Sequence, residues 1–293
     1  MGFRRIVIEN GGKASYKGGY MVVTQDESGT NRFHLSEIEP VVLQTRQFYL
    51  SAYLLSELAK AKIPLIVSDD KRNPVAELLP LYGSHNTSKR VVCQMDRSEP
   101  AKKRVWQHVV QDKITNQASV LRSRAEEGWD KRLLEIVPEV RSGDTTNREG
   151  YAARVYFRAL FGDEFSRELD IPINAALNFG YAIILSEVNR QIVSRGYLTQ
   201  LGICHRSEYN HFNLGCDFME PFRPFIDKLV YDNVEDEFGK MEKRLLVDSL
   251  NATVPYRDGS YRLSSVIRFY IEDCLKALNK KIPVSEIQPV EIV

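Results

Sequence analysis

The sequence predicts an α+β fold in which a small β-rich N-terminal domain precedes a larger all-α C-terminal domain. Up to about residue 92, short runs rich in Val, Ile and Thr alternate with Gly-containing turns, which is typical of β-strands joined by tight connections. From about residue 98, apolar residues recur every three to four positions over long stretches, which is typical of packed helices. We therefore expect a β-rich domain over 1–92, a linker over 93–97 and a helical domain over 98–293.

Individual elements follow from the same patterns. Strands are predicted for RRIVIEN, YMVVTQ, RFHLSE and EPVVLQT, followed by a helix, a buried strand near 63–67 and a closing loop at 83–90. Helices are predicted at 98–126, 147–161, 173–195, 217–231, 235–249 and 261–279, with a loop at 138–146. The final stretch, KKIPVSEIQPVEIV, has two prolines and predicts an extended tail or a docking strand.

Charge and cysteine content narrow the protein class. The chain has 40 basic and 39 acidic residues, a net charge of +1, so any nucleic-acid surface must come from segregated charge. No apolar run approaches the roughly 20 residues that span a bilayer. The four cysteines have no framework spacing, which favours a reduced protein. We expect a cytoplasmic protein with no membrane segment.

The stretch GICHRSEYNHFNLGCDFMEPFRP, residues 202–224, concentrates possible metal ligands. Structural zinc sites favour close Cys-x-x-Cys pairs together with spaced His pairs, whereas here Cys204 and His205 are adjacent and there is no Cys-x-x-Cys pair. A histidine combined with carboxylates is instead a set of hard ligands that suits Mg²⁺ or Mn²⁺. The spacing therefore favours one of these two ions over zinc.

Two carboxylates in this stretch share a helix face. Asp217 and Glu220 are three residues apart, and their face points away from a stripe of phenylalanines. Pro221 and Pro224 place the pair near a helix start or a kink, where both side chains can turn into a cleft. The alternative is that acids in a first helical turn only complement the helix dipole.

Glu149 fits two roles equally well. Thr146 to Glu149 matches a capping box, in which the glutamate would reach back to the N-cap amide. Glu149 also heads the inward row that continues through Tyr156 and Leu160, where a buried charge must be paired or metal-bound. The sequence leaves both roles open.

Two asparagines begin the apolar stripe of helix 173–195. Asn174 and Asn178 predict a polar network near the same cleft. For Asn174, hydrogen bonding within the helix packing is the favoured role.

Four motifs in this order resemble the CRISPR-associated spacer-acquisition integrase, the larger of the two core adaptation proteins. They lie at 149–157 (EGYAARVYF), 174–181 (NAALNFGY), 202–205 (GICH) and 217–224 (DFMEPFRP). The resemblance covers essentially the whole chain. RNPVAELLPLYGSHN and KITNQ (113–117) resemble the type II branch of the family.

The resemblance implies a site and an assembly. Glu149, His205 and Glu220 would be the catalytic residues and would bind Mg²⁺ or Mn²⁺, although many relatives carry Asp at the position of Glu220. Asp217 and Asn178 are expected to lie beside these ligands and to hold them in place without binding the ion themselves. The family forms homodimers, which we expect to involve domain 1–92, that flank a dimer of a small second adaptation protein. Together they hold double-stranded prespacer DNA.

Such a site implies phosphoryl transfer. The ion would contact the scissile phosphate, so that a prespacer 3′-hydroxyl joins the repeat of a CRISPR array by transesterification, and water in its place gives nuclease activity. Arg206 and Arg223 flank the ligands and could hold phosphates, with surface salt bridges as the alternative.

Two other functions stay open at this point. A non-catalytic DNA-binding scaffold of the adaptation complex would keep the cleft but would not join strands. A sugar hydrolase would use Asp and Glu as an acid–base pair, but it gives His205 no role.

Overall fold

The computed structural model of the chain describes residues 4–26, 28–69, 74–81, 84–124 and 128–291. The chain forms two compact units, Met1–His85 with Val193–Gly196, and Asn86–Ile192 with Tyr197–Val293. The expected boundary lay later, at residue 92 with a linker over 93–97. Residues Thr87–Met95 instead form a helix of the second unit, so the second half of the loop expected at 83–90 is helical, and Gly83 lies outside the described residues.

Among its described residues, the first unit has two four-stranded sheets and one α-helix. Its elements are β1 (Arg4–Ile8), β2 (Gly12–Lys17), β3 (Tyr20–Gln25), β4 (Gly29–His34), β5 (Ile38–Leu43), β6 (Phe48–Leu50), α1 (Ala52–Lys60), β7 (Leu65–Ser68) and β8 (Pro74–Leu78). One sheet has the order β4–β3–β2–β6, and its β2–β6 pair is parallel. The other has the order β1–β5–β7–β8, with parallel β1–β5 and β5–β7 pairs.

The core of this unit follows from the strand patterns. All six residues of β5 are buried, as expected for a central strand in a largely parallel sheet. Helix α1 begins at Ser51, whose hydroxyl accepts a hydrogen bond from the Leu54 amide at 3.1 Å. Leu54 and Leu58 of this helix are fully buried among the apolar side chains of the sheets.

The second unit is mainly helical. Its elements are α2 (Thr87–Met95), α3 (Glu99–Arg122), α4 (Trp129–Ile136), α5 (Arg148–Phe161), α6 (Pro172–Ser194), α7 (Asn213–Met219), α8 (Arg223–Asn233), α9 (Lys240–Asp248), β9 (Thr253–Tyr256), β10 (Gly259–Arg262) and α10 (Leu263–Leu278). Helix α6 extends into the first unit through its last two residues. Short 3₁₀ turns lie at Val137–Glu139, Glu220–Phe222, Ser249–Asn251 and Val284–Glu286.

Helix α3 is the central element of the second unit. Helices α4, α5, α7, α8 and α10 all pack against it, as does the 3₁₀ turn at Glu220–Phe222. Its apolar residues are fully buried, but so are several polar ones, including Lys113 and Asn116. A buried lysine must find partners inside the protein, and these partners define the candidate site.

The helical region departs from the sequence prediction at three places. A hairpin, β9–β10, turns through Arg257 and Asp258 before Gly259, and Arg257 has a φ of +54°. The short alternating strands around Asp-Gly are a hairpin signal that could have revealed it. Helix α4 was not predicted, and the helix expected at 235–249 begins at Lys240.

The C-terminal tail was predicted to be extended or to form a docking strand. Within residues 280–291 the tail forms a 3₁₀ turn rather than a strand, and it buries Ile287 and Val290. Among the helices that the structure describes, none is both long and apolar enough to cross a membrane.

Candidate active site

The ammonium group of Lys113 lies between two carboxylates. Its Nζ is 2.5 Å from Oε1 of Glu149 on α5 and 2.5 Å from Oε2 of Glu220. Those two oxygens are therefore no more than twice that distance apart. The Lys113 side chain is 9% exposed, so this cation and its partners are largely removed from water. Two of the three predicted ligands thus converge on one point.

Glu149 is free to face this point because other residues cap its helix. Asn147, at φ +50°, accepts a hydrogen bond from the Gly150 amide. Both oxygens of Asp144 accept from the amides of Arg148 and Glu149, at 2.8 and 3.0 Å. The capping box expected from Thr146 is therefore not formed, and the carboxylate of Glu149 is paired with Lys113.

Glu220 reaches the site because the chain bends at Pro221. Proline cannot continue the helix hydrogen bonding, and α7 gives way to the 3₁₀ turn Glu220–Phe222 before α8 begins. Asn116 on α3 fixes this turn by donating to the Pro221 carbonyl at 2.9 Å. Glu220 is 3% exposed, and its second oxygen is 3.0 Å from Nε of Arg223.

His205 is held in one orientation by Asp217. Its Nδ1 lies 2.7 Å from Oδ1 of Asp217, which is fully buried. An ionised carboxylate only accepts hydrogen bonds, so in the neutral ring Nδ1 carries the proton and the lone pair is on Nε2. The edge of Trp106 packs against the ring at a centroid distance of 5.8 Å. The imidazole therefore has a defined tautomer and a defined plane.

The same carboxylate also shapes the loop that carries His205. Oδ2 of Asp217 accepts from the amides of Ile203 and Cys204, at 2.6 and 3.1 Å, and Oδ1 accepts from the His205 amide at 3.0 Å. A Cβ atom at Gly202 would overlap the His205 carbonyl oxygen and would lie 2.8 Å from Oδ2. Glycine is required there because the loop closes tightly around Asp217.

The charges of the site stabilise one another. The hydrogen bond that His205 donates to Asp217, with the nearby charges of Asp217, Glu220 and Glu149, raises the pKa of His205 above its ordinary value. Burial alone would raise the pKa of Glu220, but Arg223 and Lys113 lower it below its ordinary value. Burial likewise opposes the charge of Lys113, yet Glu220 and Glu149 raise its pKa. Glu220 is therefore ionised and Lys113 is cationic near neutral pH.

The donor set fits a hard divalent ion in part. Two carboxylates already share a cation, and His205 presents Nε2 within electrostatic range of both. Nevertheless, no three His, Cys, Asp or Glu side chains in the described ranges form a ready-made cage for a metal, and Lys113 takes up the space between the carboxylates. Glu149 and Glu220 offer oxygen ligands of the kind that such an ion takes, but the Lys113 ammonium contacts both of them.

The cysteines of the same stretch lie outside this arrangement. Loss of solvation, followed by the charge of Asp217, raises the pKa of Cys204 to about 11. Burial also raises the pKa of the Cys216 thiol, although a hydrogen bond donated by Asn210 at 3.4 Å opposes this shift. Zinc ligation requires thiolates, so neither environment favours zinc.

Three further predicted residues are not among the groups that contact the Lys113 ammonium. Asn178 is exposed and accepts from Arg167 at 2.5 Å, so its predicted place on the core face was wrong, since it lies on the outer side of α6. Arg206 forms an exposed ion pair with Glu99 at 2.7 Å. Arg223 is paired with Glu220 rather than open to a phosphate.

Three residues that build the site were not predicted from the sequence. Lys113 and Asn116 belong to KITNQ, which had served only as a marker of the type II branch. Asp144 lies in a segment predicted as an ordinary loop. The acidic residue just before a helix start is a capping signal that could have revealed Asp144.

A cavity of about 450 Å³ opens beside His205. Its lining includes three cationic side chains, those of Arg97, Lys102 and Arg206, together with the loop from Gln200 to Ser207. The cavity gives the exposed side of the imidazole access to solvent and to an anionic ligand.

Replacing Asp217 by Asn should lower the pKa of His205, because the substitution removes the negative charge that favours the imidazolium. In the wild type the stabilisation from this pair is present below the ordinary imidazole pKa and is lost as the pH rises through the raised value. An NMR titration of the His205 ring in both proteins measures the change, with Cys216→Ser as the control. Identical His205 titration curves in wild type and Asp217→Asn would show that the contact is absent in solution.

Comparison with known proteins places this site in a family. Residues 6–243 match the family CRISPR associated protein Cas1. The chain is 42% identical over 231 residues to the CRISPR-associated endonuclease Cas1 of Neisseria meningitidis serogroup C (strain 8013), covering 78% of this chain and 75% of that protein.

Solved structures agree on the fold. A casposase bound to integration product superposes with a TM-score of 0.81 at 17% identity, covering 99% of this chain and 95% of that one. A chain of a Cas6-RT-Cas1–Cas2 complex gives a TM-score of 0.77 at 18% identity, over 99% of this chain and 36% of that longer one. The resemblance predicted from four sequence motifs is confirmed: the chain belongs to the CRISPR-associated Cas1 family.

Proposed function

We propose that this chain is a divalent-metal-dependent DNA integrase and endonuclease of CRISPR adaptation. The observation that carries the proposal is the convergence of Glu149 and Glu220 on one cation beside an oriented His205. Family membership and the name of the Neisseria relative support nuclease chemistry. A casposase bound to integration product has a similar fold, which supports integration as the reaction class.

The proposed ligands are Glu149, Glu220 and Nε2 of His205. When bound, Mg²⁺ or Mn²⁺ would supply Lewis-acid chemistry at the phosphate oxygens. Asp217 keeps the proton of His205 on Nδ1, so Nε2 stays available as a donor. Arg223 holds the buried carboxylate of Glu220 in its ionised form.

The reaction needs no nucleophile from the protein. In strand joining, the 3′-oxygen of a prespacer end forms a new bond to a phosphorus atom of the repeat, and the bond from that phosphorus to its former 3′-oxygen breaks. With water as the attacking group, the same displacement is hydrolysis. The protein contributes orientation and charge, which supply most of the catalysis in phosphoryl transfer.

The DNA would approach His205 through the cavity lined by Arg97, Lys102 and Arg206. Arg206 is available for this role because its exposed pair with Glu99 contributes little and exchanges readily for a phosphate. The balanced net charge of the chain makes such a local basic surface necessary.

We further propose that the chain acts in the cytoplasm as a homodimer, through domain 1–92, with a small second adaptation protein on double-stranded DNA. The Cas6-RT-Cas1–Cas2 complex supports such an assembly, since it contains Cas2.

A second function, that of a DNA-binding scaffold without catalysis, is favoured by one observation. Lys113 fills the space between the carboxylates, and no complete ligand cage is present among the described residues. One experiment distinguishes the integrase from the DNA-binding scaffold. Incubation with prespacer-like DNA and a repeat-containing plasmid, with and without Mn²⁺, gives joined strands only if the chain is an integrase.

Replacing Glu149, His205 or Glu220 by Ala should abolish strand joining while duplex binding is largely retained, because each change removes a ligand without touching the basic surface. Cys204→Ser and Cys216→Ser are matched controls from the same stretch and should keep activity. Joined product from the Glu149→Ala protein, measured on a gel with labelled prespacer, would exclude this glutamate as a ligand.

The metal should be Mg²⁺ or Mn²⁺, because two of the three proposed donors are carboxylates. Either ion should raise the melting temperature modestly and support joining, and chelators should leave the protein folded. Elemental analysis of the purified protein provides the check. If the purified protein contains stoichiometric zinc and unfolds when the zinc is chelated, this prediction is wrong and the Cys and His residues of 202–224 form a zinc site.

Asp217→Asn should weaken joining by about 10–100-fold, the usual cost of losing the partner of a metal-binding histidine. Each oxygen of Asp217 accepts two hydrogen bonds. In the Asp217→Asn protein one of these oxygens is replaced by an NH₂ group, which would face N–H donors in either orientation of the amide. Glu220→Gln should eliminate joining. A Mn²⁺ titration of the joining rate should partly rescue Asp217→Asn, and equal inactivity of both variants at every concentration would make Asp217 a ligand.

A further inference from the structure

The place of Lys113 is the place where a shared ion would bind. Glu149 and Glu220 would hold a divalent ion through their carboxylate oxygens, and one oxygen of each already contacts the Lys113 ammonium. The ammonium nitrogen stands 2.5 Å from each of them. Both cations cannot occupy that space together.

The metal-free fold needs a cation there. Glu220 is 3% exposed, and a second carboxylate close to it would repel it strongly in a poorly solvated site. Arg223 is paired with the other oxygen of Glu220, so the contact that joins Glu149 to Glu220 is the one made by Lys113. Without it, two neighbouring negative charges would face each other.

We propose that Lys113 is an internal counter-cation: in the metal-free protein it holds Glu149 and Glu220 in place, and the divalent ion must displace it to bind. This role rests on the proposed metal site. It makes Lys113 a positioning residue that sets the metal concentration at which the site fills. The lysine side chain can leave without moving α3, since its four-carbon stem has several rotatable bonds.

His205 is prepared independently of this exchange. Asp217, Trp106 and the loop amides fix the imidazole, and none of these contacts involves Lys113. Displacement of one ammonium group therefore completes a site whose third donor is already oriented.

The test replaces Lys113 by Met, which keeps an unbranched stem of similar size and removes the charge. Mn²⁺ binding to the full-length protein is measured from the EPR signal of free Mn²⁺, and thermal unfolding is followed in a chelator. Lys103→Met, on the exposed side of the same helix, is the matched control for the loss of one positive charge.

Lys113→Met should bind Mn²⁺ more tightly, on the order of tenfold or more, because no ammonium has to be displaced. Its metal-free form should melt at a temperature lower by about 5 °C or more, since two carboxylates lose their shared partner. Lys103→Met should change neither quantity. A residue with only a structural role would lower metal affinity when replaced, so unchanged or weaker Mn²⁺ binding overturns the proposal.

A second measurement serves if Lys113→Met does not fold. In a crystal structure of the wild type with Mn²⁺, the Lys113 ammonium should have left hydrogen-bond distance of at least one of the two carboxylates. Retention of both contacts beside a bound ion refutes the displacement while leaving the proposed function intact. Wild-type protein that binds no Mn²⁺, or binds it equally well as Glu149→Ala, overturns the proposed metal site and this inference with it.

Discussion

The ion contact among Lys113, Glu149 and Glu220 joins three segments that are far apart in sequence. The two glutamates lie 36 and 107 residues from the lysine along the chain. Burying any one of these charges alone would be costly, so each is stable only if the other segments are correctly placed. The packing of α5 and of the 3₁₀ turn against α3 is therefore tied to the geometry of the site.

A second buried charge, Asp217, organises the rest of the site in a different way. Its partners are mainly backbone amides, which cannot be lost or exchanged while the loop keeps its shape. Asp217 and Glu220 are three residues apart, yet they have separate roles because the helix ends between them. Asp217 faces the His205 loop from α7, whereas Glu220 begins the turn forced by Pro221 and faces α3.

The sequence was sufficient for the features that local patterns determine. Periodicity located the long helices near their observed ends, and the prolines indicated a bend beside Glu220. Contacts between distant segments could not be obtained in this way. A lysine within a helical pattern is normally exposed, and only the assembled fold shows that two carboxylates surround Lys113. Asn178 was misplaced for a related reason, because a position at the edge of an apolar stripe can turn to either side.

The contacts of Asp217 are fixed, whereas those of Lys113 can be exchanged. In the proposed metal site, the free energy of metal binding would therefore depend mainly on the contacts of Lys113. The imidazole of His205 is oriented by Asp217 and Trp106, which make no contact with the Lys113 ammonium, so its ordering cost is met during folding. The two glutamates are held by a side chain on a long flexible stem, whose contact is strong but exchangeable. In the proposed metal site, an ion would gain the carboxylates only to the extent that it outcompetes that ammonium. A monovalent ion adds no charge beyond that of Lys113, whereas a divalent ion doubles the attraction at the same point. On this argument, the internal lysine itself favours divalent over monovalent cations.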